Sequence, residues 1–226
     1  MSHGKQFTLY ALQAGPNPWK VAFFLNELGL SYETIYFDFQ KAEHKAPEYL
    51  KLTPTDAFPP SSTTRTTTSP FVASTTRESG AILLYLAEKY DTEKKYFVTS
   101  EADRFAVLQW LFFQVSGQGP YYGQAAWFSF YHPEKLPSAV ERYQNEIRRV
   151  LGVLESVLSK QEWLAAGKLT IADLSFSAWN NEVGGLLGPE FNFEKEFPAT
   201  FKWHQRIVAV PGVKAGFALR KELTGY

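Results

Sequence analysis

The chain opens with two stretches that alternate apolar and polar residues, KQFTLY at 5 to 10 and ETIYFDF at 33 to 39, the period expected of strands. The segment between them changes period: Val21, Phe24, Leu25 and Leu28 fall on one helical face that stops at Gly29. Asn17 is a good N-cap residue and Pro18 suits the first helical position, which sets the expected start of this helix. Strand, helix and strand in that order predict parallel neighbours joined by a right-handed crossover. EHKAPEYLKL at 43 to 52 reads as a short, weak helical piece interrupted by Pro47. A core helix is expected over Glu78 to Tyr90, with Ala81, Ile82, Tyr85 and Leu86 at helical spacing and Leu83 and Leu84 flanking that stripe.

Beyond Tyr90 the pattern is helical throughout. A long aromatic helix is expected over 100 to 131, bent near GQGP at 117 to 120. Another, over 138 to 159, places Tyr143, Ile147, Val150, Leu151, Leu154 and Leu158 on one face. Ser100 with Asp103, Ser138 with Glu141 and Thr170 with Asp173 match the capping-box spacing, and Pro198 and Pro211 punctuate the last two helices. The charged run DTEKKYFVTS marks a boundary, so the expected organisation is an α/β domain over 1–90, a linker over 91–99 and an all-helical domain over 100–226.

Composition narrows the function. Apolar residues make up 45% of the 226 and aromatic ones 16%, enough for folded cores. Lys plus Arg and Asp plus Glu are 23 each, so no net field attracts nucleic acid or an anionic membrane. No apolar run approaches the roughly 18 residues of a membrane helix, and MSHGKQFTLY lacks the apolar segment of a secretory signal, so a cytoplasmic protein is expected. The absence of cysteine removes thiolate metal sites and a protein thiol nucleophile, so any thiol chemistry must use a thiol of the ligand. His3, His44, His132 and His204 are scattered without a metal-binding spacing, and no metal is expected.

The start of the 78–90 helix is the first candidate site, because Glu78, Ser79 and Gly80 combine a carboxylate, a hydroxyl and open backbone N–H groups. A ligand carboxylate could sit on Ser79 and the N–H groups while Glu78 holds a neighbouring ammonium; Ser79 could equally be a plain cap.

APEYL at 46 to 50, ESGAILLYLAEKY at 78 to 90, QWLFFQVSGQGPYYGQA at 109 to 125, VERYQNEIRRV at 140 to 150 and KLTIADL at 168 to 174 together change that balance. In these motifs the chain resembles a cytosolic glutathione transferase, of the fungal branch related to the yeast nitrogen-catabolite regulator and of the bacterial Nu class. The resemblance implies a thioredoxin-like N-terminal domain, an all-helical C-terminal domain, a homodimer, and glutathione as co-substrate with a small apolar electrophile, peroxide or disulfide as partner. It places the γ-glutamyl end of glutathione on Glu78 and Ser79, the glycyl end near His44, and Arg149 at the same ligand from the helical domain, with Arg148 its rival. It makes Asn17 the residue that activates the thiol; Gly15, two residues earlier, brings no hydroxyl, and Tyr10 reads better as the end of the first strand. Tyr121, Tyr122, Trp127, Phe128 and Phe130 are candidates for walling an apolar second-substrate pocket, or for core. The competing readings are a non-catalytic regulator and a carrier of aromatic ligands. The yeast regulator carries a long Asn-rich extension before its folded domain and this chain begins a few residues before its first strand, which favours the enzyme.

Residues 53–77 break the resemblance: 13 of these 25 are Ser or Thr and four are Pro, a linker-like composition where the fold needs a hairpin. A typical family string here is Asn-Pro-Asn-Gly-Arg-Ile-Pro-Ala-Leu-Val-Asp-His-Lys-Asn-Asn-Asp-Phe. Written in GC-rich codons and read one base later, it becomes residues 53 to 69 as they stand. The segment therefore reads as a shifted frame, restored just before Glu78. Pro59 still falls on the family's cis-proline position, and Phe58 stands for an Ile or Val whose backbone would pair with the cysteinyl unit of glutathione. Peptide mass spectrometry of active protein across 52–78 is expected to return the family frame. Recovery of an intact TTTSPFVASTTR peptide would overturn the shifted-frame reading.

Overall fold

The computed structural model describes residues 4–38, 41, 43, 63–66 and 78–225, which form two compact units, one of residues 1–92 with 210–226 and one of residues 93–209. In chain order the elements are β1 (Phe7–Ala11), α1 (Pro16–Glu27), β2 (Tyr32–Tyr36), β3 (Thr63–Thr66), α2 (Ser79–Lys89), α3 (Glu101–Phe113) and α4 (Gly119–Ala126). They continue as α5 (Pro137–Leu158), α6 (Ile171–Asn180), α7 (Val183–Leu187), α8 (Phe193–Glu196), α9 (Pro198–Val208) and α10 (Pro211–Thr224). Of the sequence-based expectations, residues 44–52 of the short helical piece and most of 53–77 lie outside the described residues.

In the first unit β1 and β2 run parallel, with Phe7 opposite Tyr32 and Ala11 opposite Tyr36, as the crossover predicts. β3 pairs antiparallel with the other edge of β1, giving the order β2-β1-β3. The middle strand is accordingly buried at Phe7, Leu9 and Ala11.

α1 begins two residues earlier than expected. Gly15, in an extended conformation, is its N-cap, Pro16 opens it, and Asn17 lies inside the first turn. The physical reason is that Pro16 and Pro18 both fit a first turn whose N–H groups need no intrahelical carbonyl, so the helix starts at the earlier one. In α2 the buried stripe is Ile82, Leu83, Leu86 and Ala87, while Ala81 is exposed and Tyr85 half-buried, a rotation from the expected face.

Sequence order puts α10 with the helical half, but its contacts group it with the first unit, where it packs on α1. Glycines permit this approach: a Cβ on Gly216 would stand 2.3 Å from the Phe23 ring, and one on Gly212 would stand 2.5 Å from the Glu27 backbone nitrogen. Glu27 accepts the Gly212 N–H at 2.7 Å, and Arg220, buried, donates to the Ala14 carbonyl at 2.9 Å, just before α1.

In the second unit, α3 to Tyr131 is one run of helical backbone interrupted by π turns over Gln114–Gln118 and Trp127–Tyr131. The expected bend near GQGP is the first of these, because Pro120 cannot donate to the carbonyl four residues back and its ring crowds that turn. Ser100 caps α3 by accepting from the Asp103 N–H. Ser138 does not cap α5: Pro137 takes the first helical position and Leu136 the cap. The expected apolar face of α5 is buried at Ile147, Val150, Leu151, Leu154 and Leu158.

Asp173 holds this unit together. Its carboxylate accepts from the Thr170 N–H at 2.8 Å, the Thr170 hydroxyl at 2.9 Å, the Leu164 N–H at 3.0 Å and the Trp203 indole at 2.9 Å. Burial pushes its carboxyl above the ordinary carboxylate range, opposed by these donors.

Candidate functional site

The start of α2 carries the most concentrated polar chemistry described in the first unit. Glu78, immediately before the helix, has φ of 65°, a region a side chain with a Cβ enters at a cost of order 1–3 kcal/mol. That turn leaves Glu78 exposed and points the chain into α2 with Ser79 buried. The Ser79 hydroxyl accepts a hydrogen bond from Lys20 Nζ at 3.1 Å.

Lys20 was not singled out by sequence reasoning. It sits in α1 among Trp19, Val21, Phe23 and Phe24, on the face packed into the unit, and is 1% exposed. Lysine is almost never fully buried without partners, so one lysine inside WKVAFFL was the available signal. Burial lowers its pKa from 10.5 to about 7, while the nearby Glu78 carboxylate acts in the opposite direction.

Asn17 lies three residues before Lys20, one turn away on the same side of α1, and is half-buried at the positive end of that helix. The contact between Lys20 and Ser79 joins α1, one turn beyond Asn17, to the first turn of α2, where Ser79 follows Glu78. Tyr10 sits within β1 and stacks on Phe37 at 5.9 Å, as a strand residue. His44, Phe58 and Pro59 lie outside the described residues.

In the second unit the two neighbouring arginines separate. Arg148 pairs with Glu196 of α8 and lies over the Phe191 ring at 5.3 Å. Arg149 points elsewhere, bonded to Glu146 at 2.7 Å and 5.7 Å over the Tyr121 ring, with its side chain 48% exposed. The aromatic run splits: Tyr122 is fully buried and its hydroxyl is pushed up by burial, Tyr121, Trp127 and Phe128 are half-buried, and Phe130 is exposed. Trp127 stacks on Tyr131 and Phe128 on Tyr143.

Two family models match the chain: Glutathione S-transferase, N-terminal domain, over residues 5–60, and Glutathione S-transferase, C-terminal domain, over residues 120–211. Glutathione S-transferase 2 of Schizosaccharomyces pombe is 49% identical over 222 residues, covering 93% of this chain and 94% of its own. The crystal structure of the glutathione transferase URE2P6 from Phanerochaete chrysosporium, in complex with oxidized glutathione, matches with a TM-score of 0.93 and 54% identity, over 99% of this chain and 100% of that one. Ure2p5 from the same organism, cocrystallized with 1-(S-glutathionyl)-2,4-dinitrobenzene, matches with a TM-score of 0.88 and 44% identity, over 99% and 98%.

The burial of Lys20 has a measurable consequence. The unfolded chain keeps this proton up to about pH 10.5 and the folded chain only to about 7, so between those values the unfolded state binds more protons and stability rises with pH. Below pH 7 both states hold the proton and the full desolvation cost remains. Urea unfolding of wild type and Lys20→Met at pH 7 and pH 9 is expected to show the wild type gaining about 2 kcal/mol relative to the variant. A difference that does not change with pH would contradict the buried, depressed lysine.

Proposed function

The chain belongs to the glutathione S-transferase family, and from that premise we propose that it holds glutathione across the first turns of α2 and α1 and uses its thiol on a second substrate. The observation that supports this reading is the Lys20–Ser79 hydrogen bond, which joins α1, the helix that carries Asn17 in its first turn, to the start of α2. Ser79 and the N–H groups of α2 take the α-carboxylate of the γ-glutamyl unit, and exposed Glu78 takes its ammonium. His44, Phe58, Pro59 and Arg149 keep the roles that the family resemblance gives them.

Asn17 donates from its side-chain amide to the sulfur, which the positive end of α1 already favours as thiolate. Lowering the thiol pKa by about two units, from roughly 8.5, requires about 2.7 kcal/mol of preference for the thiolate. The thiolate then attacks carbon, forming a C–S bond as the leaving group departs with its electron pair. With a hydroperoxide it attacks oxygen, breaking the O–O bond; the alcohol leaves, and a second glutathione converts the sulfenic acid to disulfide and water. With a disulfide substrate, the thiolate displaces one sulfur as a thiol.

Catalysis is favoured over a non-catalytic regulator because the relatives described are named transferases and one was crystallised with a glutathione conjugate. Detoxification of apolar electrophiles in the cytosol, where glutathione is kept reduced, fits this chemistry. The unit of function is a homodimer: Phe105 and Phe112, seven residues apart on α3, are 63% and 65% exposed and offer a second copy an apolar face.

Turnover of a hydroperoxide, a small disulfide and an aryl or isothiocyanate electrophile is expected to fall about tenfold or more in Asn17→Ala, about 1.4 kcal/mol of transition-state stabilisation, with the best substrate naming the reaction. Wild-type turnover in the variant would clear Asn17 of this role.

A further inference from the structure

A lysine ammonium only donates, and a serine hydroxyl both donates and accepts. When Lys20 Nζ donates to Ser79 Oγ, one lone pair of that oxygen is taken, and the hydroxyl proton is left to serve a different acceptor. At pH values up to about 7, and above that wherever a bound anion holds the proton on Lys20, the donor behind the hydroxyl is cationic, which polarises the O–H bond and strengthens the hydrogen bond it makes onward. Both partners are buried, Lys20 at 1% and Ser79 at 6% exposed, so solvent screens this arrangement weakly. An acceptor that is itself negative is the best complement to such a hydroxyl.

We propose that Lys20 is a positioning residue for the ligand's γ-glutamyl carboxylate, acting through Ser79: it fixes the hydroxyl as a donor and supplies the positive charge behind it. The proposal deepens the glutathione reading and rests on it. Lys20 does not touch the reacting sulfur; its effect is on the orientation of the far end of the peptide. A ligand carboxylate favours the charged ammonium, in the same direction as Glu78 already acts. Glu78 and Lys20 thereby sort the two charges of the amino-acid end, the ammonium toward the exposed carboxylate and the carboxylate toward the buried cation.

The test is a cycle of two proteins and two peptides. Wild type and Lys20→Met are titrated calorimetrically with glutathione and with 4-aminobutyryl-cysteinyl-glycine, which lacks only the γ-glutamyl α-carboxylate. Lys20→Met is expected to weaken glutathione by about tenfold or more while changing the truncated peptide by less than about threefold, a coupling that a general loss of structure would not produce. Turnover at saturating glutathione is expected to stay within about threefold of wild type, so that the defect falls on KM rather than kcat. Equal weakening of both peptides, or of neither, overturns the proposal, as does a wild type that binds the two alike. A wild type that fails to bind glutathione removes the functional reading itself. If Lys20→Met does not yield folded protein, Lys20→Gln is put through the same cycle with the same criteria.

Discussion

The hydrogen bond from the Lys20 ammonium to the Ser79 hydroxyl, made out of contact with water, is the constraint around which the first unit is arranged. Burying an ammonium is expensive, and the cost is lowered only where polar groups are brought to it. Here the chain brings Ser79 by turning through a positive φ at Glu78, itself a strained conformation. Two unfavourable features at one point are retained in a fold that could have placed methionine at residue 20. Their joint effect is to hold the Ser79 hydroxyl and the start of α2 against α1, with Glu78 just ahead of them, the arrangement on which the proposed ligand site rests.

That relation depends on α1 staying in place, and α10 supplies the clamp from the other end of the chain. Gly212 and Gly216 let its backbone approach Glu27 and Phe23 closely, and Arg220 reaches the Ala14 carbonyl just ahead of the first turn that carries Asn17. Asn26 also donates to the Gly212 carbonyl. In the other unit, Asp173 plays a comparable organising role, tying Thr170, Leu164 and Trp203 to the start of α6.

Most of this fold could be read in the sequence where local rules decide. Alternation gave β1 and β2, and the βαβ order gave their parallel pairing. The Thr170–Asp173 box and the bend before Pro120 were visible because each has one local cause. Local rules failed where two signals competed: Asn17 and Ser138 both look like caps, but a proline nearer the start took the first helical position in each case. The packing of α10 on α1 was hidden because it joins residues nearly two hundred positions apart, with only the spacing of Gly212 and Gly216 to announce it. Of the site, Glu78, Ser79 and Asn17 were legible as residue types at helix starts. Lys20 was not, since a period-based reading treats one charged residue on an apolar face as noise.

The structure of the glutathione complex tests the central claim most directly. The γ-glutamyl carboxylate is predicted to lie within hydrogen-bond distance of Ser79 Oγ, its ammonium at Glu78, and the sulfur at the first turn of α1 beside Asn17. A peptide bound in reverse, with its glycyl carboxylate on Ser79, or one that leaves the start of α2 untouched, would contradict it.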